Sequence, residues 1–230
     1  MSLRVRRSWK DGSARHQGTL DDYANLAEGL LTLYETTFEE RFFVAARGLA
    51  DTILERFAAP DGGFFDTADD AEALMARPRN LQDNALPSGG SMATIVLLRL
   101  AALTGEARYR EAAEGALEPI GGVAAQHPTG FANWLTAFAL ASSPIDEIAI
   151  VGDPTAEDTR ALLAVVRDGF RPHRAVAVAA DPEASAVPLL RDRVAIDGAA
   201  TAYLCRGFAC RQPTTDPAVL AHQLEEARAS

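Results

Sequence analysis

The chain carries an internal repeat that restricts its fold more than any other feature of the sequence. At an offset of 67 residues, residues 30–50 and 97–117 match at nine of 21 positions without a gap. Because one repeated unit cannot bury its own apolar face, such a repeat indicates stacked copies of a supersecondary element. The matched pairs are Leu30/Leu97, Leu31/Leu98, Leu33/Leu100, Thr37/Thr104, Glu39/Glu106, Arg41/Arg108, Ala45/Ala112, Ala46/Ala113 and Gly48/Gly115.

The apolar spacing predicts that each copy is a pair of helices. In the first copy we predict helices over 21–35 and about 42–57, joined at Thr36 and Thr37, and in the second over 91–103 and 106–117. A long connector, 62–87, separates the copies, and a lone third helix is predicted over 131–141. The apolar positions of the first two helices are Leu26, Leu30 and Leu33 with Tyr34 beside them, then Phe42, Ala46, Leu49, Ile53 and Phe57.

The pattern changes to that of strands after Pro144. We predict strands over 145–151, 174–180 and 201–206, with a helix after the first strand that opens on a capping box of Thr155 and Asp158. A last helix follows Asp216 and Pro217. The chain is therefore predicted to be mainly α, with a helix-hairpin domain over 1–143 and a small α/β subdomain over 144–230.

Composition excludes several classes of function. The net charge is −10 and Lys10 is the only lysine among 22 basic residues, so we expect no nucleic-acid partner. No apolar run approaches the roughly 18 residues of a membrane helix, so we expect a soluble, cytoplasmic protein. Phosphate-binding glycine loops are absent and His173 and His222 lie at no zinc-ligand spacing, so we expect no cofactor and no metal.

Three predicted helix starts, near Asp21, Ser88 and Thr129, should share one end of the helical part. Helix starts offer unpaired N–H groups, glycines let a ligand approach the backbone, and aromatic rings stack on sugars. This end could bind a polyhydroxylated ligand, with Asp21, Asp83 and His127 as catalytic candidates. The candidate substrate-binding residues are Asp22, Tyr23, Ser88, Gly89, Ser91 and Trp134.

The alternative is that Asp21, Ser88 and Thr129 are helix caps and that the glycines close turns. Asp21 and Asp22 are adjacent, so on a helix their side chains diverge by about 100° and cannot act on one substrate atom. A pair of acting carboxylates would need one of them with Asp83 or Glu28. Both interpretations stay open at the level of sequence.

Cys205 and Cys210 are the only cysteines, separated by four residues. A hairpin disulfide, and with it thiol redox chemistry, is one interpretation. In a reducing cytoplasm two buried thiols are the commoner outcome, and that is our expectation.

Seven motifs together resemble a known family. They are residues 9–14, 20–24, 29–35, 62–67, 87–91, 98–105 and 202–210, and they cover nearly the whole chain in order. The chain resembles the C-terminal part of the spermatogenesis-associated, thioredoxin-domain-containing family of the YyaL type. It departs from that family at Gly90, where a member usually has Asn.

The resemblance implies an (α/α)6 toroid similar to N-acylglucosamine 2-epimerases and six-hairpin glycosidases, of which this chain would be a part. It also implies a thioredoxin-like domain that precedes the toroid in the family, and we expect this chain to lack it. Epimerases of the related fold move protons next to a sugar carbonyl, typically with histidines, and His16 and His127 lie near the predicted site. We expect a sugar-epimerase-like or glycosidase-like domain that forms a homodimer or binds a chain supplying the rest of the toroid; the alternative is a non-catalytic interaction module for a thioredoxin-like partner.

Overall fold

The computed structural model describes residues 3–72 and 75–229, which fall into two units. The first unit holds Met1–Leu33, Arg41–Ala101 and Glu106–Ser142, and the second holds Tyr34–Glu40, Ala102–Gly105 and Ser143–Ser230. The main division between the two units lies between Ser142 and Ser143. The second unit also takes in two short pieces that end the first and third helices.

The helical elements follow the predicted order. The helices are α1 (Leu20–Thr37), α2 (Glu40–Arg56), α3 (Gly89–Thr104), α4 (Ala107–Leu117), α5 (Gly121–Gln126), α6 (Ala132–Ser142), α7 (Glu157–Arg167) and α8 (Pro217–Ala229). Only α5, a helix of six residues, has no counterpart in the prediction. The chain is mainly α with a small α/β part, as expected.

The repeat corresponds to two helix pairs in the same register. The matched residues Thr37 and Thr104 end α1 and α3, and the matched residues Glu39 and Glu106 directly precede α2 and α4. α3 is mostly apolar and most of its side chains are buried. The prediction of repeated helix pairs is therefore confirmed.

The buried faces of α1 and α2 differ from the predicted ones. The structure buries Ala24, Ala27, Leu31 and Tyr34 of α1, whereas Leu26 and Leu33 are 46% and 45% exposed. In α2 the buried phenylalanine is Phe43 and not Phe42. The buried face of α1 is therefore formed by two alanines, one leucine and one tyrosine, and not by Leu26 and Leu33.

The first unit also contains a hairpin that the sequence reading missed. Strands β1 (Arg6–Lys10) and β2 (Ser13–Gln17) pair in antiparallel fashion around Asp11 and Gly12, both at positive φ. An Asp-Gly pair is a typical two-residue hairpin turn. Both strands are exposed along their whole length, so they show no alternation of apolar and polar residues.

Polar contacts join the predicted connector between the two helix pairs to the end of α2 and to the start of α1. Within its described part, Arg79 binds the Asp61 carboxylate and the Gly62 carbonyl, and the guanidinium of Arg77 binds the Arg56 carbonyl at 2.9 Å. The Leu20 N–H donates to the Asp66 carbonyl at 2.9 Å, which joins the connector to the start of α1.

The second unit contains a mixed four-stranded sheet in the order β4 (Arg174–Ala179), β3 (Asp146–Val151), β5 (Thr201–Arg206) and β6 (Ala209–Cys210). β3 pairs parallel with β4 and antiparallel with β5. β4 lies at an edge, and its Val176 N–H donates to the Glu35 carboxylate at 3.2 Å.

The capping box predicted for α7 does not form. Ala156 precedes the helix without a side-chain cap, and Thr155 donates instead to the Asp153 carboxylate at 2.8 Å. Asp158 accepts from the N–H groups of Thr159 and Ala200, so it ties the helix to the segment before β5. The predicted cap at Asp216 does form, since its carboxylate accepts from the Ala218 N–H at 2.8 Å.

The expectation of two buried thiols is wrong. β5 and β6 are joined by a two-residue turn, Gly207 and Phe208, and Cys205 and Cys210 are opposite each other across the two strands. They form a disulfide, in which Cys205 is buried and Cys210 is exposed. The prediction failed because it did not include strand β6, which places the two cysteine side chains opposite each other.

No helix in the described part of the chain is both long enough and apolar enough to cross a membrane.

A matched pair of glycine substitutions tests the packing of the connector on α4. Gly62 has a φ of +91°, and a Cβ there would lie 2.5 Å from the Gly115 carbonyl oxygen. We expect Gly62→Ala to lower the free energy of unfolding by at least about 2 kcal/mol in urea titrations. Gly29, inside α1 with open space around it, is the control: Gly29→Ala should raise that free energy by about 0.5–1 kcal/mol. Equal effects of the two changes would contradict the described packing.

Candidate functional site

The three predicted helix starts lie together at one end of the first unit. A Cβ built on Gly89, at the start of α3, would lie 2.8 Å from the Asp21 backbone nitrogen in the first turn of α1. The starts of α3 and α6 are joined through the side chain of Asp83. The shared end that the repeat predicts is therefore present.

Asp83 connects two helix starts with its two carboxylate oxygens. Oδ1 accepts from the Ser88 N–H at 2.9 Å and from the Ser91 hydroxyl at 2.7 Å. Oδ2 accepts from the N–H groups of Asn133 and Trp134 at 2.9 and 3.3 Å. The side chain of Asp83 is thus committed to four donors, and the residue is only 7% exposed.

These four contacts have a common physical cause. The first N–H groups of a helix have no partner within the helix, and the helix dipole places partial positive charge there. One buried carboxylate satisfies such groups on α3 and α6 simultaneously. In this geometry Asp83 acts as a shared helix cap that positions the surrounding loop.

The predicted binding residues around Asp83 are buried in the same network. The Ser88 hydroxyl accepts from the Ser91 N–H at 3.2 Å, and Asn133 Nδ2 donates to the Ser91 hydroxyl at 2.9 Å. Trp134 donates its indole N–H to the Leu81 carbonyl at 2.7 Å. Gly89 allows the close approach of α1 and α3, and a Cβ on its neighbour Gly90 would lie 3.1 Å from the Trp134 ring.

Asp21 and Asp22 belong to a separate capping arrangement at the start of α1. The Asp22 carboxylate accepts from the Thr19 N–H at 2.9 Å, and the Thr19 hydroxyl also binds Asp21. Arg7 of β1 lies 3.4 Å from Asp21 Oδ1 and 3.2 Å from Asp22 Oδ2. Sequence reasoning missed Thr19 and Arg7, although Thr-x-x-Asp before an apolar run is a capping-box signal.

Two further candidates also have structural contacts. Tyr23 is buried, and its hydroxyl accepts from the Val5 N–H at 3.0 Å. Glu28 forms an ion pair with Arg99 of α3.

A cleft of about 720 Å³ opens at this end of the first unit. Its lining residues are Gln82, Asp83, Asn84, Ala85, Val123, His127, Thr129, Gly130 and Phe131. Of the predicted catalytic residues, Asp83 and His127 line the cleft. The remaining predicted residues Asp21, Asp22, Tyr23, Ser88, Gly89, Ser91 and Trp134 are not among its lining, and His16 lies on the exposed strand β2.

The exposed polar side chains of the cleft are chemically available. Within the described residues, the side chains of Gln82, Asn84, His127 and Thr129 make no hydrogen bond to the protein. They offer two amides, an imidazole and a hydroxyl, which together donate and accept hydrogen bonds. Sequence reasoning did not single out Gln82 or Asn84, because lone amides in a polar connector carry no spacing signal.

No group of three or more His, Cys, Asp or Glu side chains that could hold a metal ion occurs in residues 3–72 and 75–229. The candidate redox pair, Cys205 and Cys210, belongs to the second unit and is separate from this cleft.

The role of Asp83 as a shared cap can be tested by its removal. Asp83→Ala leaves buried N–H donors without partners, so we expect the free energy of unfolding to fall by about 3 kcal/mol. The adjacent Asn84, exposed and without a side-chain contact, is the control, and Asn84→Ala should change it by less than about 0.5 kcal/mol. Urea unfolding followed by circular dichroism measures both. A loss below about 1 kcal/mol for Asp83→Ala would contradict the capping role.

No protein-family model matches the chain. Among individual proteins, it is 32% identical over 216 residues to spermatogenesis-associated protein 20 of Mus musculus, covering 91% of this chain and 27% of that protein. The human protein of the same name is 32% identical over 210 residues, covering 88% of this chain and 27% of its own length. The chain thus spans about a quarter of the length of these relatives. These matches support the resemblance to the family of spermatogenesis-associated protein 20 over nearly the whole of this chain.

Proposed function

We propose that the first unit is part of an α/α toroid of the epimerase-like kind, in a cytoplasmic member of the thioredoxin-domain-containing family, and that its cleft binds a sugar. The observation that carries the proposal is the cleft itself. Its volume of about 720 Å³ is within the range of small-molecule sites, and four of its polar side chains are unused by the protein.

The side chains divide into two roles in this proposal. Gln82, Asn84 and Thr129 bind hydroxyl groups of the ligand, since amides and hydroxyls can both donate and accept. Phe131 supplies apolar surface beside them. Asp83 is a positioning residue, because its four hydrogen bonds hold the loop from which Gln82 and Asn84 extend.

His127 is the residue for proton transfer. Its imidazole is exposed at the cleft, and an imidazole nitrogen can accept a proton from a bound ligand and return it. Isomerase or epimerase chemistry requires removal of the proton next to a sugar carbonyl and its return. His127 is the group among the cleft-lining residues that fits this task.

Glycoside hydrolysis is the less favoured reaction of the two that the resemblance implies. It ordinarily uses two carboxyl groups that flank the scissile bond. Among the residues that line the cleft, Asp83 is the one carboxylate, and both of its oxygens are occupied by helix N–H groups and a serine hydroxyl. The geometry therefore favours isomerase-like over hydrolase-like chemistry.

Calorimetry with a free aldose and an N-acylhexosamine tests the sugar site. We expect binding to the wild-type chain and at least tenfold weaker binding after Gln82→Ala, which removes hydrogen bonds to the ligand. His127→Ala should abolish any isomerisation of a bound sugar. The control is His222→Ala, since His222 lies on the exposed face of α8 and pairs with Glu226. Failure of the wild-type chain to bind either sugar would refute the proposal.

A second candidate function, as an interaction module, is favoured by a separate observation. Leu26, Leu30 and Leu33 lie along one face of α1, and the two outer leucines are about half exposed. Exposed apolar stripes on helices are typical of protein contacts. We propose that this stripe binds a second copy or a chain that supplies further parts of the toroid.

Light scattering after size-exclusion chromatography tests the association. We expect the wild-type chain to elute as a dimer or larger species, and the double substitution Leu26→Glu with Leu33→Glu to convert it into a monomer, because charge opposes burial of the stripe. Val219→Glu, at a residue of similar exposure on α8, is the control and should leave the mass unchanged. A folded wild-type monomer that also fails to bind an equimolar chain carrying the remaining helix pairs of the toroid would refute this candidate.

A further inference from the structure

The disulfide of the second unit lies against a buried arginine. Arg193 is 7% exposed, and its Nη2 is 3.4 Å from Cys205 Sγ and 3.3 Å from Cys210 Sγ. Its Nη1 donates to the Arg191 carbonyl at 3.1 Å. Both sulfurs of the disulfide are therefore in contact with one guanidinium.

In the described part of the protein the charge of Arg193 is compensated only at a distance, by the electrostatic effect of the Glu147 and Asp192 carboxylates. No carboxylate forms an ion pair with it, and its buried Nε has no hydrogen-bond partner there. Burial lowers the pKa of this guanidinium, which reflects the cost of holding the charge away from water. A disulfide is neutral and compensates little of that cost, whereas a thiolate at the same place would compensate it directly.

One of the two sulfurs is open to solvent. Cys205 is 1% exposed, whereas Cys210 is exposed and lines a cleft of about 540 Å³. A cleft of this size admits a small molecule. Three arginines, Arg191, Arg193 and Arg211, line it together with Asp192.

The arginines of the cleft differ in their availability. Arg211 is neutralised by Glu226, with Nη1 2.7 Å from the carboxylate. Arg191 is exposed, and its side chain has no hydrogen bond or ion pair within the described residues. Arg191 therefore offers an unpaired guanidinium in the cleft that Cys210 lines, and this charge favours a molecule that carries a carboxylate.

We propose that Cys205 and Cys210 form a thiol–disulfide exchange site for small thiols that carry carboxylate groups, with Arg193 stabilising the thiolates that form on reduction. The site is independent of the sugar cleft and of the function proposed for it.

The exchange balances with two equivalents of the small thiol. Its thiolate attacks Cys210 Sγ; the Sγ–Sγ bond breaks, a mixed disulfide forms on Cys210, and Cys205 leaves as a thiolate facing Arg193. A second thiolate attacks the sulfur of the bound small molecule, forms the small-molecule disulfide and releases Cys210 as a thiolate. The protein gains two electrons, the small thiols lose two, and the protons of the two thiols pass to the protein thiols through water.

Reduction leaves the strands in place. β5 pairs along its length with β3, and β6 remains attached through the two-residue turn, where the Phe208 N–H donates to the buried Glu147 carboxylate at 2.7 Å. The two sulfurs therefore stay opposite each other and can close again.

The experiment measures the rate of disulfide reduction under native conditions. Aliquots are trapped with a maleimide and analysed by mass spectrometry, and rates are expressed per concentration of thiolate. The probes are 3-mercaptopropionate, 2-mercaptoethanol and cysteamine, which are anionic, neutral and cationic. We expect the anionic thiol to react fastest, the cationic thiol slowest, and the mixed disulfide to be found on Cys210.

Two variants separate the roles of the arginines. Arg193→Gln removes the charge beside the sulfurs and should slow reduction by all three thiols roughly tenfold or more. Arg191→Gln should leave the rate with 2-mercaptoethanol unchanged and remove the preference for the anionic thiol. Arg193→Lys keeps the charge and should retain most of the rate.

Several results would overturn the proposal. They are equal rates for the three thiols on the wild-type chain, attack on Cys205, unchanged rates in folded Arg193→Gln, or a disulfide that small thiols reduce only after unfolding. The comparison of the three thiols on the wild-type chain needs no variant, so it tests the proposal even if Arg193→Gln does not fold.

Discussion

The carboxylate of Asp83 is the contact on which the candidate cleft depends. It lies in a connector without helix or strand, yet it satisfies backbone N–H groups of α3 and α6, which are far apart in sequence. Burial of a carboxylate is costly unless its oxygens are hydrogen-bonded, and here four donors meet them. The N–H groups at the helix starts and the buried carboxylate satisfy each other's hydrogen bonds. This contact therefore fixes the position of the connector in the fold.

This arrangement separates the residues that maintain the site from those that can act in it. Ser88, Ser91 and Trp134 are buried and saturated with contacts inside the protein, so they set the shape of the cleft wall. His127 and Thr129, by contrast, follow α5 on a short turn and are exposed. A rigid network that carries a few unengaged polar groups is the arrangement that a small-molecule site requires.

The helix pairs could be predicted from the sequence because the two copies of the repeat show the same pattern. The bounds of β5 were also predicted correctly. The sequence-based prediction failed where a structural feature depends on a residue far away in the sequence or on a small side chain. Periodicity could not show that Ala24 and Ala27 form the buried face of α1, because leucines at helical spacing dominate such a pattern.

The other failures have similar causes. The hairpin of β1 and β2 is exposed on both faces, so it lacks the alternation by which strands are recognised. The four donors to Asp83 come from two segments, one of them about 50 residues away, and no local signal relates them. The disulfide depended on β6, a strand of two residues that is too short to predict.

The contact between Glu35 and the edge strand β4 has a consequence for how the protein behaves in a crowded solution. β4 has the sequence Arg-Ala-Val-Ala-Val-Ala, and an unprotected edge of that kind is a template for pairing with other chains. The Glu35 carboxylate occupies the N–H of Val176 in the middle of that edge. An incoming strand would have to displace this carboxylate from the Val176 N–H before it could pair there, so Glu35 opposes extension of the sheet at this edge.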